Sequence, residues 1–227
     1  MPNHLREGGE FDAVLNLLDR QVIDADGYMV CKVDDLELAQ DDIGSLRVTG
    51  LLAGPAALLP RFSGRLGGSL LEQWRRLGTQ QADRTTPWRI DMALVAKVDY
   101  AVRLSVLRDG LLRKPTDDET GTTYRRLDHL LGMRVHRDGE DLGRVLDVRI
   151  GNRGGDLECR HLIVGRGRPG TMLGYDRSRH MGPAVVSHLI RWMHRHTGQV
   201  AIDDVVGWDW SAGQLEVRSD LKELTHA

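Results

Sequence analysis

The feature that most constrains this chain is a hairpin pattern that occurs twice, in residues 18–38 and again in residues 131–150. In each copy an apolar run leads into an Asp-Gly pair, and a second apolar run follows it. Asp-Gly between alternating apolar runs is the strongest short-range signal for a β-hairpin, because glycine accepts the positive φ of a tight turn. The sequence therefore predicts two hairpins, with turns at Asp26-Gly27 and Asp138-Gly139.

The match between the two copies continues beyond the hairpins at a nearly constant spacing. Strand-like runs surround each hairpin, and each half has one helix-like segment, at residues 69–78 and 183–196. Repetition of this whole series of strands, hairpin and helix predicts a duplicated domain, not a solenoid of short repeats. The matching positions are Gly27 with Gly139, Val33 with Val145, Asp35 with Asp147, Ile90 with Ile202 and Asp91 with Asp203.

Changes in composition mark the domain boundaries. Residues 1–10 are polar and predict a flexible arm, and residues 11–107 form the first predicted domain. Residues 108–126 combine Gly, Pro, Thr and charge with almost no periodicity, which is typical of a linker. Residues 127–221 form the second domain. The predicted fold class is mainly β with minor α, as two tandem small β-barrels with one helix associated with each.

In the second copy one series of residues follows the arrangement L-G-x-x-V … D-G-x-x-L-G-x-V-x-D-V: Leu131-Gly132, Val135, Asp138-Gly139-Glu140, Leu142-Gly143-Arg144-Val145 and Asp147-Val148. This arrangement resembles that of the PRC-barrel family, whose members are small β-barrels. In the first copy Asp19 replaces a glycine of that pattern, and residues 29–33 replace its Leu-Gly-Arg-Val step. Such barrels occur in the cytoplasmic subunit of photosynthetic reaction centres and in a ribosome-maturation factor that binds a ribosomal protein. The resemblance implies two PRC-type barrels with a docking role and no shared catalytic motif.

Composition narrows the classes of function. The chain has 227 residues and a formal net charge of −2, so we expect no global attraction to nucleic acid or acidic membrane. No apolar run approaches the ~20 residues that span a bilayer, and no signal peptide is recognisable, which predicts a cytoplasmic protein without a transmembrane segment. Cys31 and Cys159 lie inside apolar runs and predict buried thiols, not a bridge. No cofactor is predicted.

The best candidate for a binding patch is a group of arginines in the second half. Guanidinium groups bind phosphate and carboxylate bidentately and stack on bases, and the glycines and proline of residues 165–170 would make the loop adaptable. The alternative is a solvated loop whose arginines pair with nearby carboxylates. The six residues are Arg166, Arg168, Arg177, Arg179, Arg191 and Arg195.

The histidines of the second half have the residue type of a metal site but not its spacing. His188 and Trp192 share one helix face, whereas His194 and His196 point in other directions. Zinc requires three or four converging ligands, and no His-Glu-x-x-His is present. We therefore predict no metal site and no catalytic residue, and a metal-dependent enzyme that uses these histidines is the least favoured hypothesis.

Two further groups of residues have structural explanations. Trp208 and Trp210 share one face of a strand, which favours a core or dimer contact over a stacking platform. The aspartates of the first half lack the ligand spacing of a calcium loop, so solvated strand edges are expected. These aspartates are Asp34, Asp35, Asp41 and Asp42.

Together these observations favour a non-catalytic binding or adaptor protein that docks a protein partner. The alternative is an RNA- or ribosome-associated factor that binds through the arginine-rich second barrel. A homo-oligomer is also consistent with the tryptophans, which could equally fill two small cores. They are Trp74, Trp88, Trp192, Trp208 and Trp210.

Overall fold

The computed structural model describes residues 9–58, 60, 86–113, 122–153, 155–166 and 197–224. Within these ranges the chain is mainly β with curled sheets, as predicted, while its division into two tandem barrels stays a prediction. The two predicted helices, residues 69–78 and 183–196, lie outside the described residues. No helix in the described ranges is long and apolar enough to cross a membrane.

The described residues form short helices and longer strands, which we number in chain order. The helices are α1 (Ala13–Asn16), α2 (Pro55–Leu58) and α3 (Leu127–Leu130), and 3-10 turns cover Met92–Leu94 and Ile202–Asp204. The strands are β1 (Phe11–Asp12), β2 (Gln21–Ile23), β3 (Met29–Lys32), β4 (Asp35–Gln40), β5 (Leu46–Ala53), β6 (Trp88–Asp91), β7 (Val95–Val98), β8 (Val102–Leu104), β9 (Thr123–Arg126), β10 (Arg134–Arg137), β11 (Glu140–Arg153), β12 (Asp156–Gly165), β13 (Gly198–Ala201), β14 (Val205–Asp209) and β15 (Gln214–Val217).

The chain divides into two compact units, and neither is one continuous stretch. The first unit contains Leu17–Gln40 and Arg47–Asp128, and the second contains Gly8–Asn16, Asp41–Leu46 and His129–Ala227. Residues 11–16, which the sequence placed in the first domain, therefore belong to the second unit. Residues 122–126, which the sequence placed in the linker, belong to the first. The reason is strand pairing, which recruits β1 and β9 to strands distant in sequence.

The first unit contains a four-stranded sheet in the order β3-β2-β8-β7. β2 and β3 form the first predicted hairpin, and β8 joins β2 in parallel, with Val22 beside Val102. In the same unit β4 lies between β5 and β9, and β6 pairs with β5. Both faces of β4 are covered, since five consecutive residues from Asp35 onward are buried. The first unit therefore has its own apolar core, which includes Val22, Leu36, Leu38, Leu51, Leu52 and Val102.

The second unit has the strand order β14-β15-β10-β11-β12, with β13 on β12 and β1 on β11. β10 and β11 form the second predicted hairpin, and both residues of its turn, Asp138 and Gly139, have positive φ. β15 joins β10 in parallel, with Val135 beside Leu215. The geometry therefore repeats that of the first unit, where β8 joins β2.

An equivalent backbone hydrogen bond closes the base of each of the two hairpins. The Asp19 N–H donates to the Val33 carbonyl at 2.8 Å, and the Gly132 N–H donates to the Val145 carbonyl at 2.8 Å. Asp19 has a φ of 65° and Gly132 a φ of 85°, both in the left-handed region. Asp19 thus adopts the backbone conformation of the glycine in the other hairpin, at a cost that glycine avoids.

The spacing between matching positions changes after the hairpins. One 3-10 turn begins at Met92 and the other at Ile202, which is a spacing of 110 residues. The predicted matches of Ile90 with Ile202 and of Asp91 with Asp203 are therefore wrong. Asp91 precedes its 3-10 turn and caps it, whereas the second turn is preceded by Ala201.

The spacing rises again at the last strand of each unit. The Ser105 N–H donates to the Leu94 carbonyl, and the Arg218 N–H donates to the Asp204 carbonyl. These two bonds match Ser105 to Arg218, which is a spacing of 113 residues. The β14–β15 hairpin, residues 205–217, is three residues longer than the β7–β8 hairpin, residues 95–104, which accounts for the difference. Positions in the last strands must therefore be matched by their hydrogen bonds.

A buried aspartate holds one short helix in each unit. The Asp147 carboxylate accepts from the Val14 N–H in α1 at 2.8 Å, and the Asp35 carboxylate accepts from the Asp128 N–H in α3 at 3.1 Å. Each carboxylate also accepts from the N–H of the residue that follows it. A carboxylate in this position satisfies helix N–H groups that lack an intrahelical partner. The expectation that Asp35 is solvated is therefore wrong.

A buried ion pair fixes β1 in the second unit. Asp12 lies opposite Arg149 in the β1–β11 ladder, and its Oδ1 is 2.9 Å from the Arg149 Nε. Each of these side chains is only 1% exposed. The Arg149 Nη1 also donates to the Gln199 Oε1 at 2.9 Å. The guanidinium therefore connects β1, β11 and β13.

We expect Asp12→Ala to lower the free energy of unfolding by about 3–5 kcal/mol, because it removes the carboxylate from a buried guanidinium. Urea unfolding followed by tryptophan fluorescence measures the loss. Asp109→Ala removes an exposed carboxylate and serves as the control, with an expected change within about 0.5 kcal/mol. Equal losses in the two variants would contradict a structural role for the Asp12–Arg149 pair.

We expect Gly143→Ala to destabilise the chain more than Gly139→Ala does. Both glycines have positive φ, but a Cβ at Gly143 would lie 2.6 Å from the Gly165 carbonyl oxygen, whereas a Cβ at Gly139 would meet nothing within 4 Å. Backbone strain alone should cost about 1 kcal/mol at Gly139, and the steric clash should raise the cost to about 2 kcal/mol or more at Gly143. Thermal unfolding of the two variants tests this order.

Candidate functional site

Of the six arginines in the predicted binding patch, the structure describes one. Arg166 directly follows β12 and is exposed. The other five lie outside the described residues, so their grouping into a patch stays a prediction. They are Arg168, Arg177, Arg179, Arg191 and Arg195.

The histidines of the predicted helix, His188, His194 and His196, likewise lie outside the described residues. His161 is described and lies in β12, where its Nδ1 is 3.7 Å from the Glu10 Oε2. Burial lowers the pKa of His161, which favours its neutral form. In the described ranges no three His, Cys, Asp or Glu side chains are grouped so that they could hold a metal ion.

The two thiols are free and have the properties of structural cysteines. Cys159 is buried, as predicted, and Cys31 is half-buried. Burial raises the pKa of both thiols to about 12, assisted by Asp34 at Cys31 and by Glu158 at Cys159. A thiol with so high a pKa carries almost no thiolate at neutral pH, so neither cysteine has the character of an activated nucleophile.

Among the carboxylates that the structure describes, Asp35 and Asp147 have the pKa values that are raised furthest toward neutral pH. Burial raises the pKa of each to about 7, and neighbouring carboxylates, Asp128 and Asp12 respectively, act in the same direction. A pKa near 7 is typical of a general acid or base. Both carboxylates, however, are buried and bonded to backbone N–H groups of short helices, so their geometry is that of a structural support.

Arg126 extends this support in the first unit. Its Nε lies 2.8 Å from the Asp35 Oδ2 and 3.2 Å from the Asp128 Oδ1. Its two terminal nitrogens donate to the carbonyls of Ala56 and Ala57, both at 3.1 Å. The guanidinium thus joins β9 to the end of α2, and its donors are used within the fold.

The first unit has a cluster of exposed apolar side chains at the tip of its hairpin. Tyr28, Met29 and Leu107 are 58%, 50% and 52% exposed. The Arg108 guanidinium lies over the Tyr28 ring, 4.6 Å from its centroid. We call these four residues the tyrosine edge. A hydrogen bond from the Ala25 N–H to the Val106 carbonyl joins the hairpin tip to the segment after β8.

The matching positions of the second unit are acidic. In the first hairpin Met29 lies opposite Ile23, and in the second hairpin Asp141 lies opposite His136. Met29 therefore matches Asp141. The preceding residues, Tyr28 and Glu140, match in the same way. Ser105 and Arg218 match because their N–H groups make equivalent hydrogen bonds, to Leu94 and Asp204. Leu107 follows Ser105 by two residues and Asp220 follows Arg218 by two residues, so Leu107 matches Asp220. Three exposed apolar side chains in one unit thus correspond to three carboxylates in the other.

In the second unit an arginine pairs with two of these three carboxylates. Arg137 forms ion pairs with Glu140, at 3.1 Å, and with Asp220. In the first unit the Arg108 guanidinium has a ring contact with Tyr28 but no carboxylate within ion-pair distance among the described residues. The tyrosine edge therefore combines apolar surface with a cation that the described part of the chain does not neutralise.

The second unit has its own aromatic surface on β14. The rings of Trp208 and Trp210 are stacked, with centroids 5.1 Å apart and planes inclined by 8°. Both side chains are half-buried, and Val206 on the same strand is exposed. The predicted shared face is therefore confirmed. Gly44 packs against this surface, since a Cβ there would lie 2.9 Å from the Trp208 Nε1.

Sequence reasoning did not identify the tyrosine edge, because Met29 was assigned only to the hairpin strand. One signal was nevertheless present. Residues 29–33 depart from the Leu-Gly-Arg-Val step of the resemblance, and this departure begins at an exposed residue of the cluster. The Trp208–Trp210 pair was recognised, but its partial exposure could not be read from strand alternation alone.

A scan of the chain against protein-family models gives no match, and no curated protein matches it in a sequence search.

We expect the stability of the chain to fall as the pH rises from about 5 to about 8, because of Asp35 and Asp147. Each folded-state pKa, about 7, lies above the ordinary value of 3.8, so the folded chain retains protons that the unfolded chain releases. This stabilisation is complete below the ordinary value and is lost as the pH rises through about 7. The slope is at most about 1.4 kcal/mol per pH unit for each proton.

Urea unfolding at several pH values measures the effect. Asp147→Asn cannot titrate, so we expect this variant to have a smaller pH slope than the unmodified chain, with the slope from Asp35 remaining. An identical slope in both proteins would show that Asp147 is already ionised across this range.

Proposed function

We propose that this chain is a non-catalytic binding protein with two PRC-type barrels, and that a protein partner docks on its tyrosine edge. The observation that carries the proposal is the contrast between the hairpin tips: Tyr28, Met29 and Leu107 are exposed where the other unit has Glu140, Asp141 and Asp220. Solvated hairpin tips normally carry polar residues, so three apolar side chains in one place favour an interaction surface.

The composition of the tyrosine edge supports protein recognition. Tyrosine, methionine and arginine are enriched at protein interfaces, and tyrosine and arginine are frequent energetic hot spots. Burial of one large apolar side chain contributes about 1.5–3 kcal/mol. Arg108 is already oriented by the Tyr28 ring, so binding costs it little side-chain entropy.

The PRC-type assignment rests on the sequence resemblance together with the geometry shared by the units. Each has a hairpin joined in parallel by the last strand of that unit, and each has the same hydrogen bond at the hairpin base. The resemblance favours a docking role, since that family includes a ribosome-maturation factor that binds a ribosomal protein.

The test compares the full chain with a variant that carries residues of the second unit at the matching positions, Tyr28→Glu/Met29→Asp/Leu107→Asp. We expect proteins captured from native lysate by the tagged chain to be lost at least tenfold with this variant, since about 1.4 kcal/mol corresponds to tenfold. The matched control is Glu140→Gln/Asp141→Asn, which changes the corresponding tip of the second unit. Circular dichroism verifies that both variants fold, and capture that is equal in all three proteins would exclude the tyrosine edge as the docking surface.

Binding of RNA or a ribosome through the arginines of the second unit remains the alternative. Nuclease and salt treatment of the same captured material tests it, because contacts with phosphate weaken steeply as salt is added. Loss of the captured material after nuclease would support the RNA hypothesis and contradict direct protein docking.

A further inference from the structure

The side chains of the tyrosine edge determine which kind of partner segment can bind it. Its three apolar side chains require an apolar group, and the Arg108 guanidinium, which has no carboxylate partner among the described residues, requires an anion. A complementary segment therefore has an aliphatic or aromatic side chain directly beside a carboxylate.

The chain itself presents such a segment in the second unit. Ile43 is 86% exposed, more than any other large apolar side chain in the described ranges, and the neighbouring Asp42 is also exposed. The Asp42 carboxylate has no ion-pair or hydrogen-bond partner among these residues. Asp42 and Ile43 thus place a carboxylate beside an aliphatic side chain at the tip of one loop.

This loop is held in a defined conformation. The Asp41 carboxylate accepts from the N–H of Ile43 at 3.1 Å and from the N–H of Ser45 at 2.7 Å. The Gly44 N–H donates to the Asp41 carbonyl, and Gly44 packs on the Trp208 indole. Since the backbone is already ordered, insertion of Ile43 into a partner surface costs little conformational entropy.

We infer that the Asp42–Ile43 loop of one copy of this chain docks on the tyrosine edge of a second copy, with Ile43 against Tyr28, Met29 and Leu107 and Asp42 paired with Arg108. This inference rests on the proposed function and names the partner of the same surface. Both surfaces are exposed in a single copy, so they are free to meet between copies.

The contact joins two different surfaces, so it is directional. One Ile side chain and one ion pair make a small interface, for which we expect weak, reversible association with a dissociation constant of about 1 μM or more. The ion pair makes this association sensitive to salt.

Sedimentation velocity of the full chain, over protein concentrations up to about 1 mM, tests the inference. We expect concentration-dependent assembly that is weakened at least about tenfold by Arg108→Glu and by Asp42→Lys, since each places like charges together. An equimolar mixture of these two variants should assemble again. In that mixture the introduced glutamate of one variant meets the introduced lysine of the other, and the unmodified Arg108 meets the unmodified Asp42, so opposite charges are paired in both contacts.

Ile43→Ser provides a second probe that leaves all charges unchanged, and it should weaken assembly to a similar extent. Circular dichroism and unfolding curves verify that each variant folds. Sedimentation as a monomer at every concentration would overturn the inference, as would assembly that none of the three substitutions alters. Restoration in the mixture is specific to the pairing of residues 42 and 108, because a general loss of stability cannot be rescued in this way.

The outcome also separates this inference from the proposed function. If the chain stays monomeric while capture of another protein still depends on Tyr28, Met29 and Leu107, self-docking is wrong and the docking surface stands. If the substitutions at the tyrosine edge alter neither assembly of the chain nor capture of another protein, both are wrong.

Discussion

The interaction on which both units depend is a buried carboxylate bonded to the first turn of a short helix. Asp35 begins β4 and Asp147 lies within β11, and each binds a helix from a distant part of the sequence. Removal of a carboxylate from water is costly, and the backbone N–H groups compensate only part of that cost, which is why both pKa values rise to about 7. The strands β1 and β9 keep their places because these helices follow them directly.

Local chemistry in the sequence predicted the hairpins, while the pairing of distant segments could not be predicted. Asp26-Gly27 and Asp138-Gly139 determine their own turns, and the mainly β class followed from apolar alternation. The places of β1 and β9 depend on contacts more than ninety residues apart, such as that of Asp128 with Asp35. Asp35 looked like a solvated acid because no short-range pattern reveals that Arg126 will cover it. The spacing changes before Ile90 and Ile202 because the connection after β5, residues 54–87, is two residues longer than the connection after β12, residues 166–197.

The candidate site was less predictable than the fold for a related reason. Sequence reasoning favoured charge clusters, and five of the six arginines lie outside the described residues. The tyrosine edge consists of ordinary strand and loop residues whose meaning comes from exposure and from comparison with the other hairpin. The two hairpins have similar backbones, but one tip has carboxylates, two of which pair with Arg137, and the other has apolar side chains with an arginine that is available for a partner.

Each unit contains segments that are distant in sequence, so the order of synthesis determines when each unit can complete its fold. Residues 9–16 are made before the rest of the second unit, yet the partners of Phe11 and Asp12 on β11, Ile150 and Arg149, are made more than 130 residues later. The first unit likewise lacks β9 until Thr123–Arg126 has emerged. Neither unit can therefore complete its fold from the first hundred residues alone, and the opening segment must wait without its partner until most of the chain has been translated.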